Sequence, residues 1–139
     1  MMYMLDTNII IYAKNDPKGP VYQALTRHDP SEVCISSVTL AELEYGISKS
    51  SQPDINRLAL MLFLARIQVL PFGSAAARDY GNIRCDLESK GSIIGANDML
   101  IAAHARSADA VLVTNNLREF NRVEGLKTVN WADRRLSEN

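Results

Sequence analysis

The sequence predicts an α/β domain whose mostly parallel sheet of about five strands carries helices on both faces. Short apolar runs (MYML at 2–5, VCIS at 33–36, IQVLPF at 67–72, AVLVT at 110–114) alternate with amphipathic stretches of helical period. These runs are apolar throughout rather than at every second residue, as befits parallel strands buried on both faces. A chain of 139 residues with 47% hydrophobic and 22% charged content suits one core and argues against disorder. With no internal repeat or linker, residues 1–139 read as a single domain.

The first strand ends at DTN, and IIIY at 9–12 then begins a helix or an irregular turn. DPKGP at 16–20 is a breaker cluster, and Pro20 opens a short helix through Arg27. HDPSE at 28–32 breaks the chain before the second strand. Ser37 or Thr39 is the expected cap of the next helix, whose apolar face carries Leu40, Leu43 and Ile47. Gly46 inside that helix costs about 1 kcal/mol relative to Ala, which points to close packing against another backbone. After the loop SSQPD, with Asp54 as N-cap, INRLALMLFLARI forms a strongly apolar helix with Leu58, Met61, Leu62 and Ala65 on one face. Its apolar surplus fits either a core helix or part of a partner groove.

Pro71 stops the third strand. A helix from Ser74 to about Lys90 turns Ala77, Tyr80, Ile83 and Leu87 inward, with Gly91 as its C-terminal cap. Asn97 or Asp98 starts a helix running to about Arg106, before the fourth strand. NNLREFNRV is a turn and short helix, and LKTVNW at 126–131 is a fifth, edge strand. The tail ADRRLSEN, 132–139, is polar and expected to fray.

The net charge of −1 excludes a strongly basic nucleic-acid binder. Binding to nucleic acid would need a local basic patch or a bound metal ion. No apolar run approaches the roughly 20 residues of a bilayer span, and the N-terminus lacks a signal-peptide pattern. The two cysteines suit a reduced, cytoplasmic protein, with Cys34 a buried, inert thiol. Two histidines, His28 and His104, are too few for a His-rich zinc site.

In such sheets ligands bind at the carboxyl ends of the strands. Asp6, Thr7 and Asn8 follow the first strand there, Glu42 lies a turn or so beyond the second, and Thr114, Asn116 and Glu119 follow the fourth. Asp98 opens the helix that must run back along the sheet, so its first turn reaches the same edge. Gathered carboxylates repel unless a cation neutralises them, and hard oxygen ligands favour Mg²⁺ or Mn²⁺. Such clusters support phosphodiester hydrolysis. Singly, each acid has a plainer reading: Asp98 as a helix cap, Glu42 as a solvated residue, Asp6 in a structural turn accepting backbone N–H bonds.

The segments YMLDTNIII, ISSVTLAELEYG, GANDMLIAAHARS and LVTNNLREFNRVEGL, followed by Trp131, together resemble the PIN-domain ribonucleases, and specifically the toxins of VapBC-type toxin–antitoxin modules. The resemblance spans nearly the whole chain. It implies a three-layer α/β/α sandwich and Mg²⁺- or Mn²⁺-dependent endoribonuclease activity. It makes Asp6, Glu42 and Asp98 the metal-binding acids, with Thr7 and Asn8 supporting the first and Thr114 supporting the last motif. It is strongest with an enteric-bacterial branch that cleaves initiator tRNA in the anticodon stem–loop. It also implies a homodimer, and a VapB-type antitoxin that wraps the toxin and sets a basic side chain near the acids. One departure stands out. Many PIN domains carry Asp where this chain has Asn116, so Asn116 or Glu119 must take the fourth acidic role. One firmly held metal is then expected, with a second only beside substrate phosphate.

Arg84, Lys90, Arg106, Arg118 and Arg122 are candidates for RNA contact near the acidic edge. His104 reads as structural. A phosphatase or phospho-acceptor of another α/β class is disfavoured, because Asn8 stands where Asp-x-Asp would need its second acid and the third strand ends in VLPFG. A non-catalytic PIN-like RNA-binding module is disfavoured by the three retained acids.

Overall fold

The computed structural model describes residues 1–133, so most of the tail expected to fray lies outside the described residues. Strand β1 (Tyr3–Leu5) is central, flanked by β2 (Val33–Ser36) and β4 (Val111–Val113), with β3 (Gln68–Leu70) and β5 (Lys127–Val129) at the edges. The order is β3-β2-β1-β4-β5. Every pairing is parallel, for example Met4 opposite both Cys34 and Leu112.

Among the described residues seven α-helices join the strands: α1 (Thr7–Asn15), α2 (Pro20–Arg27), α3 (Ser37–Ser48), α4 (Pro53–Leu64), α5 (Ser74–Ser89), α6 (Ala96–Ser107) and α7 (Leu117–Phe120). Successive strand side chains point to opposite faces. Met4, Cys34 and Leu112 therefore pack with Ile83, Leu87, Met99 and Phe120 of α5 to α7. Leu5, Ile35 and Val113 pack with Ile9, Val21, Leu43 and Leu60 of α1 to α4. The result is the α/β/α sandwich, and it explains why the central strands read apolar at every position. Burial pushes the Cys34 thiol up to about 11, which keeps it inert.

Several local expectations are corrected. The N-cap of α3 is Ser36, the last residue of β2, whose Oγ accepts from Val38 N at 3.0 Å. Ser37 Oγ instead accepts from Phe72 N at 3.0 Å, and Thr39 is buried without a hydrogen-bond partner. Pro53 opens α4 behind Gln52, leaving Asp54 in the first turn rather than at the cap. Of the two readings open for this helix, Leu58, Met61, Leu62 and Ala65 share the exposed face while Leu60 enters the core. Ala76 rather than Ala77 is buried on α5. Gly91 behaves as expected. It takes φ +64°, and the bonds Ser92 N to Leu87 O and Gly91 N to Glu88 O close the helix.

Gly46 has no close neighbour: a Cβ there would meet nothing within 4 Å. Gly46→Ala is therefore expected to stabilise the protein by up to about 1 kcal/mol, read as a rise of a few degrees in thermal melting.

Candidate active site

Two central strands run straight into helices at their carboxyl ends, and this junction builds the site. Asp6 ends the β1 segment and caps α1, with Oδ1 accepting from Thr7 N at 2.8 Å. Its other oxygen accepts from Thr114 Oγ1 at 3.0 Å, and its backbone N donates to Val113 O. Asp6 is only 4% exposed. Burial raises its pKa, opposed by the Thr114 and Thr7 hydrogen bonds, and the charge of Glu42 raises it further.

Thr7 does more than support the first acid. Its hydroxyl donates to Glu42 Oε1 at 2.7 Å, tying α1 to α3. Glu42 Oε2 accepts from Asn97 Nδ2 at 3.4 Å. Asn97 was expected only as a possible helix start; its position beside Asp98 was the one available signal of a site role. Asn8 is exposed, and the hydrogen bonds to the Asp6 carboxylate come from Thr7 N and Thr114 Oγ1.

Asp98 is not a cap. Gly95 precedes α6 without any side-chain cap, so Asp98 sits in the first turn with its carboxyl uncommitted. Its pKa is raised to about 6, first by burial and then by the charges of Asp6, Glu119 and Glu42. Hydrogen bonds tie the four acid-bearing segments to one edge: Thr7 joins Asp6 to Glu42, Asn97 beside Asp98 reaches Glu42, and Thr114 and Asn116 lead from Asp6 to Glu119. Gly95 leaves them room: a Cβ there would lie 3.3 Å from Asp98 Oδ2.

Thr114 is fully buried and joins two segments, donating to Asp6 and accepting from Asn116 N at 3.0 Å. Asn116 Nδ2 donates to Glu119 Oε2 at 3.1 Å. Asn116 thus orients Glu119, and the carboxylate of this corner is Glu119 itself.

Of the basic candidates, Arg84 pairs with Glu88, Lys90 with Asp86 and Glu124, and Arg106 with Asp79. Arg106 also lies in the last turn of α6, away from Asp98. Arg118, on α7 beside Glu119, is exposed, and Arg122 donates to Ile93 O at 3.2 Å.

Among the described residues none of the four acids is in an ion pair, and no three His, Cys, Asp or Glu side chains are already gathered around one ion position. The nearby donors are carboxylate and hydroxyl oxygens without sulfur or imidazole. A hard divalent cation fits that set. A buried, uncompensated carboxylate such as Asp6 is costly unless a cation joins it.

Asn116→Asp tests the corner. It would break the bond to Glu119 and set a like charge about 3 Å from it. The metal-free protein is expected to melt lower, and Mn²⁺ to raise its melting point by more than in the wild type.

The PIN domain family model matches residues 3–126. The chain is 46% identical over 132 residues to Ribonuclease VapC2 of Rickettsia felis, covering 94% of this chain and 98% of that protein. It is 43% identical to the tRNA(fMet)-specific endonuclease VapC of Shigella flexneri, covering 95% and 99%. In structure it is similar to VapBC2 of Rickettsia felis bound to a promoter DNA fragment, with TM-score 0.89, 44% identity and coverage of 94% and 99%. The chain belongs to the PIN-domain family, within its VapC branch.

Proposed function

We propose that this chain is a divalent-cation-dependent endoribonuclease, the toxin of a toxin–antitoxin pair, acting as one PIN domain in the cytoplasm on initiator tRNA. The observation that carries this reading is the convergence of Asp6, Glu42, Asp98 and Glu119, from four hydrogen-bonded segments, on one sheet edge, with none of the four in an ion pair among the described residues.

Bound Mg²⁺ or Mn²⁺ would supply charge neutralisation for the phosphate and a water of lowered pKa. Asp6, Glu42 and Asp98 are the residues that would hold it. Thr114 and the Thr7 amide orient Asp6, and the Thr7 hydroxyl orients Glu42. Glu119, steadied by Asn116, faces the same edge and suits proton handling at the reacting water. Arg118 and Arg122 offset the acidic field for an approaching phosphate.

Relatives named tRNA(fMet)-specific endonuclease, from Shigella flexneri at 43% and Salmonella typhimurium at 42% identity, support the substrate. Structures of VapBC complexes from Rickettsia felis, Salmonella typhimurium and Haemophilus influenzae support a VapB-type antitoxin. The exposed apolar face of α4, with Ile55, Leu58, Met61 and Leu62, supports burial against partners, including a second copy. No helix among the described residues is long and apolar enough to cross a membrane.

The test is cleavage of purified initiator and elongator tRNAs with Mg²⁺ and with chelator, with the new 5′ ends sequenced. One cut in the initiator anticodon stem–loop, abolished by chelation, is the expected result. Cleavage that persists in chelator, or no cleavage of any RNA, would overturn the reading.

A further inference from the structure

Helices α3 and α6 are linked at two points. At one end, Ser36 Oγ lies 2.7 Å from His104 Nδ1, and both residues are buried. At the other, Asn97 Nδ2 donates to Glu42 Oε2 at 3.4 Å. Residue 36 pairs with 104 and residue 42 with 97, so the two helices run in opposite senses across the link. Glu42 is six residues after Ser36, and Asp98 six before His104, each about 9 Å along its helix. The buried contact is therefore the far corner of a frame whose near corner holds two of the acids.

The direction of that contact follows from proton counting. Ser36 Oγ already accepts the Val38 N–H at 3.0 Å as the cap of α3. The second lone pair of the hydroxyl could accept from an Nδ1–H, but among the described residues His104 Nδ1 is the one acceptor within reach of the hydroxyl proton, so donation by Ser36 is the arrangement that leaves that proton paired. The imidazole is then neutral with its proton on Nε2, the state that burial also favours. Phe72 stands edge-on to the ring, centroids 5.6 Å apart at 79°, and limits its rotation. A pair of apolar side chains could fill the same space without burying a hydroxyl and an imidazole. What the polar pair adds is a bond of fixed length and direction between the two acid-bearing helices.

We infer that His104 is a positioning residue: through Ser36 it sets the spacing of α3 and α6, and with it the separation of Glu42 from Asp98 that a divalent cation needs. This inference rests on reading those two acids as cation ligands.

His104→Leu, His104→Asn, His104→Gln and, as reference, Asp98→Asn separate the possibilities. The readouts are the Mn²⁺ concentration giving half-maximal thermal stabilisation, kcat and KM on RNA, and the ¹⁵N shifts of the His104 ring in the wild type. His104→Leu is expected to raise the Mn²⁺ midpoint about tenfold, as lost outer-shell partners do, and to lower kcat with KM nearly unchanged. His104→Asn, whose Oδ1 takes the place of Nδ1, should recover most of both. His104→Gln, whose acceptor falls at the Nε2 position, should not, and it serves in place of the Leu variant if that fails to fold. The ring should report the Nε2–H tautomer.

A wild-type Mn²⁺ midpoint in folded His104→Leu or His104→Gln, or equal losses in the Asn and Gln variants, would overturn the inference while leaving the acidic centre standing. A wild-type midpoint and wild-type cleavage in Asp98→Asn would remove the acidic centre itself, and the inference with it.

Discussion

Asp6→Asn is expected to abolish RNA cleavage while raising the melting temperature of the metal-free protein. The two effects have one cause. Asp6 is 4% exposed and its charged form is disfavoured by burial, more than its bonds to Thr114 and Thr7 compensate. Asn removes that charge, keeps the volume and caps a helix as well as Asp does. Outer-shell partners of metal sites cost roughly 10–100-fold when lost, so loss of a ligand itself should exceed about a hundredfold. Thermal melting in chelator and single-turnover cleavage in Mg²⁺ check the two signs. An active variant, or one that melts lower than the wild type in chelator, would contradict this reading of Asp6.

Asp98→Asn should behave similarly, with a pH signature. The folded protein raises the Asp98 pKa from 3.8 to about 6. Below about pH 4 the group is protonated whether the chain is folded or not. Between about pH 4 and 6 the unfolded chain releases the proton while the folded chain keeps it, so stability falls as pH rises through this window. Above about pH 6 the stabilising contribution is gone. The full shift would correspond to about 3 kcal/mol, and solvent screening of a half-buried group reduces it to roughly 1–2 kcal/mol. Asp98→Asn should flatten that slope and melt higher than the wild type at pH 7 in chelator. Cation binding near pH 6 should release protons from the wild type and fewer from the variant. Melting curves from pH 4 to 8, with and without Mn²⁺, read out both.

The central strands, and the sheet edge toward which Asp6, Glu42 and Asp98 lie, were legible because the signal is local. VCIS and AVLVT are uninterrupted apolar runs, and DTN begins where β1 leaves the core. Topology then carries Asp6, Glu42 and Asp98 to one edge without knowledge of any contact. The orientation of α4 was not legible, because LALMLFL is apolar all round and no period marks an inward face. Only tertiary packing, with α4 set against α3, selects Leu60 over Leu58 and Leu62. The cap of α3 is Ser36 rather than Ser37 or Thr39 for a tertiary reason: Ser37 Oγ accepts from Phe72 N, 35 positions away, and Ser36 Oγ accepts from Val38 N.

The fine structure of the site lay beyond the sequence for the same reason. The bond from Thr7 to Glu42 spans 35 positions and that from Asn97 to Glu42 spans 55. Arg106 looked available for RNA until Asp79, 27 positions earlier, appeared against it. Short-range motifs name the acids; long-range hydrogen bonds decide which neutral residues hold them, and here those are Thr7, Asn97, Thr114 and Asn116.

The central claim is that Asp6, Glu42 and Asp98 act together on one divalent cation. Calorimetric titration of Mn²⁺ into the wild type, Asp6→Asn, Glu42→Gln and Asp98→Asn at pH 7 tests it most directly. The expected result is about one cation bound by the wild type and at least about tenfold weaker binding in each variant. No binding heat in the wild type, or wild-type affinity in any of the three folded variants, would contradict it.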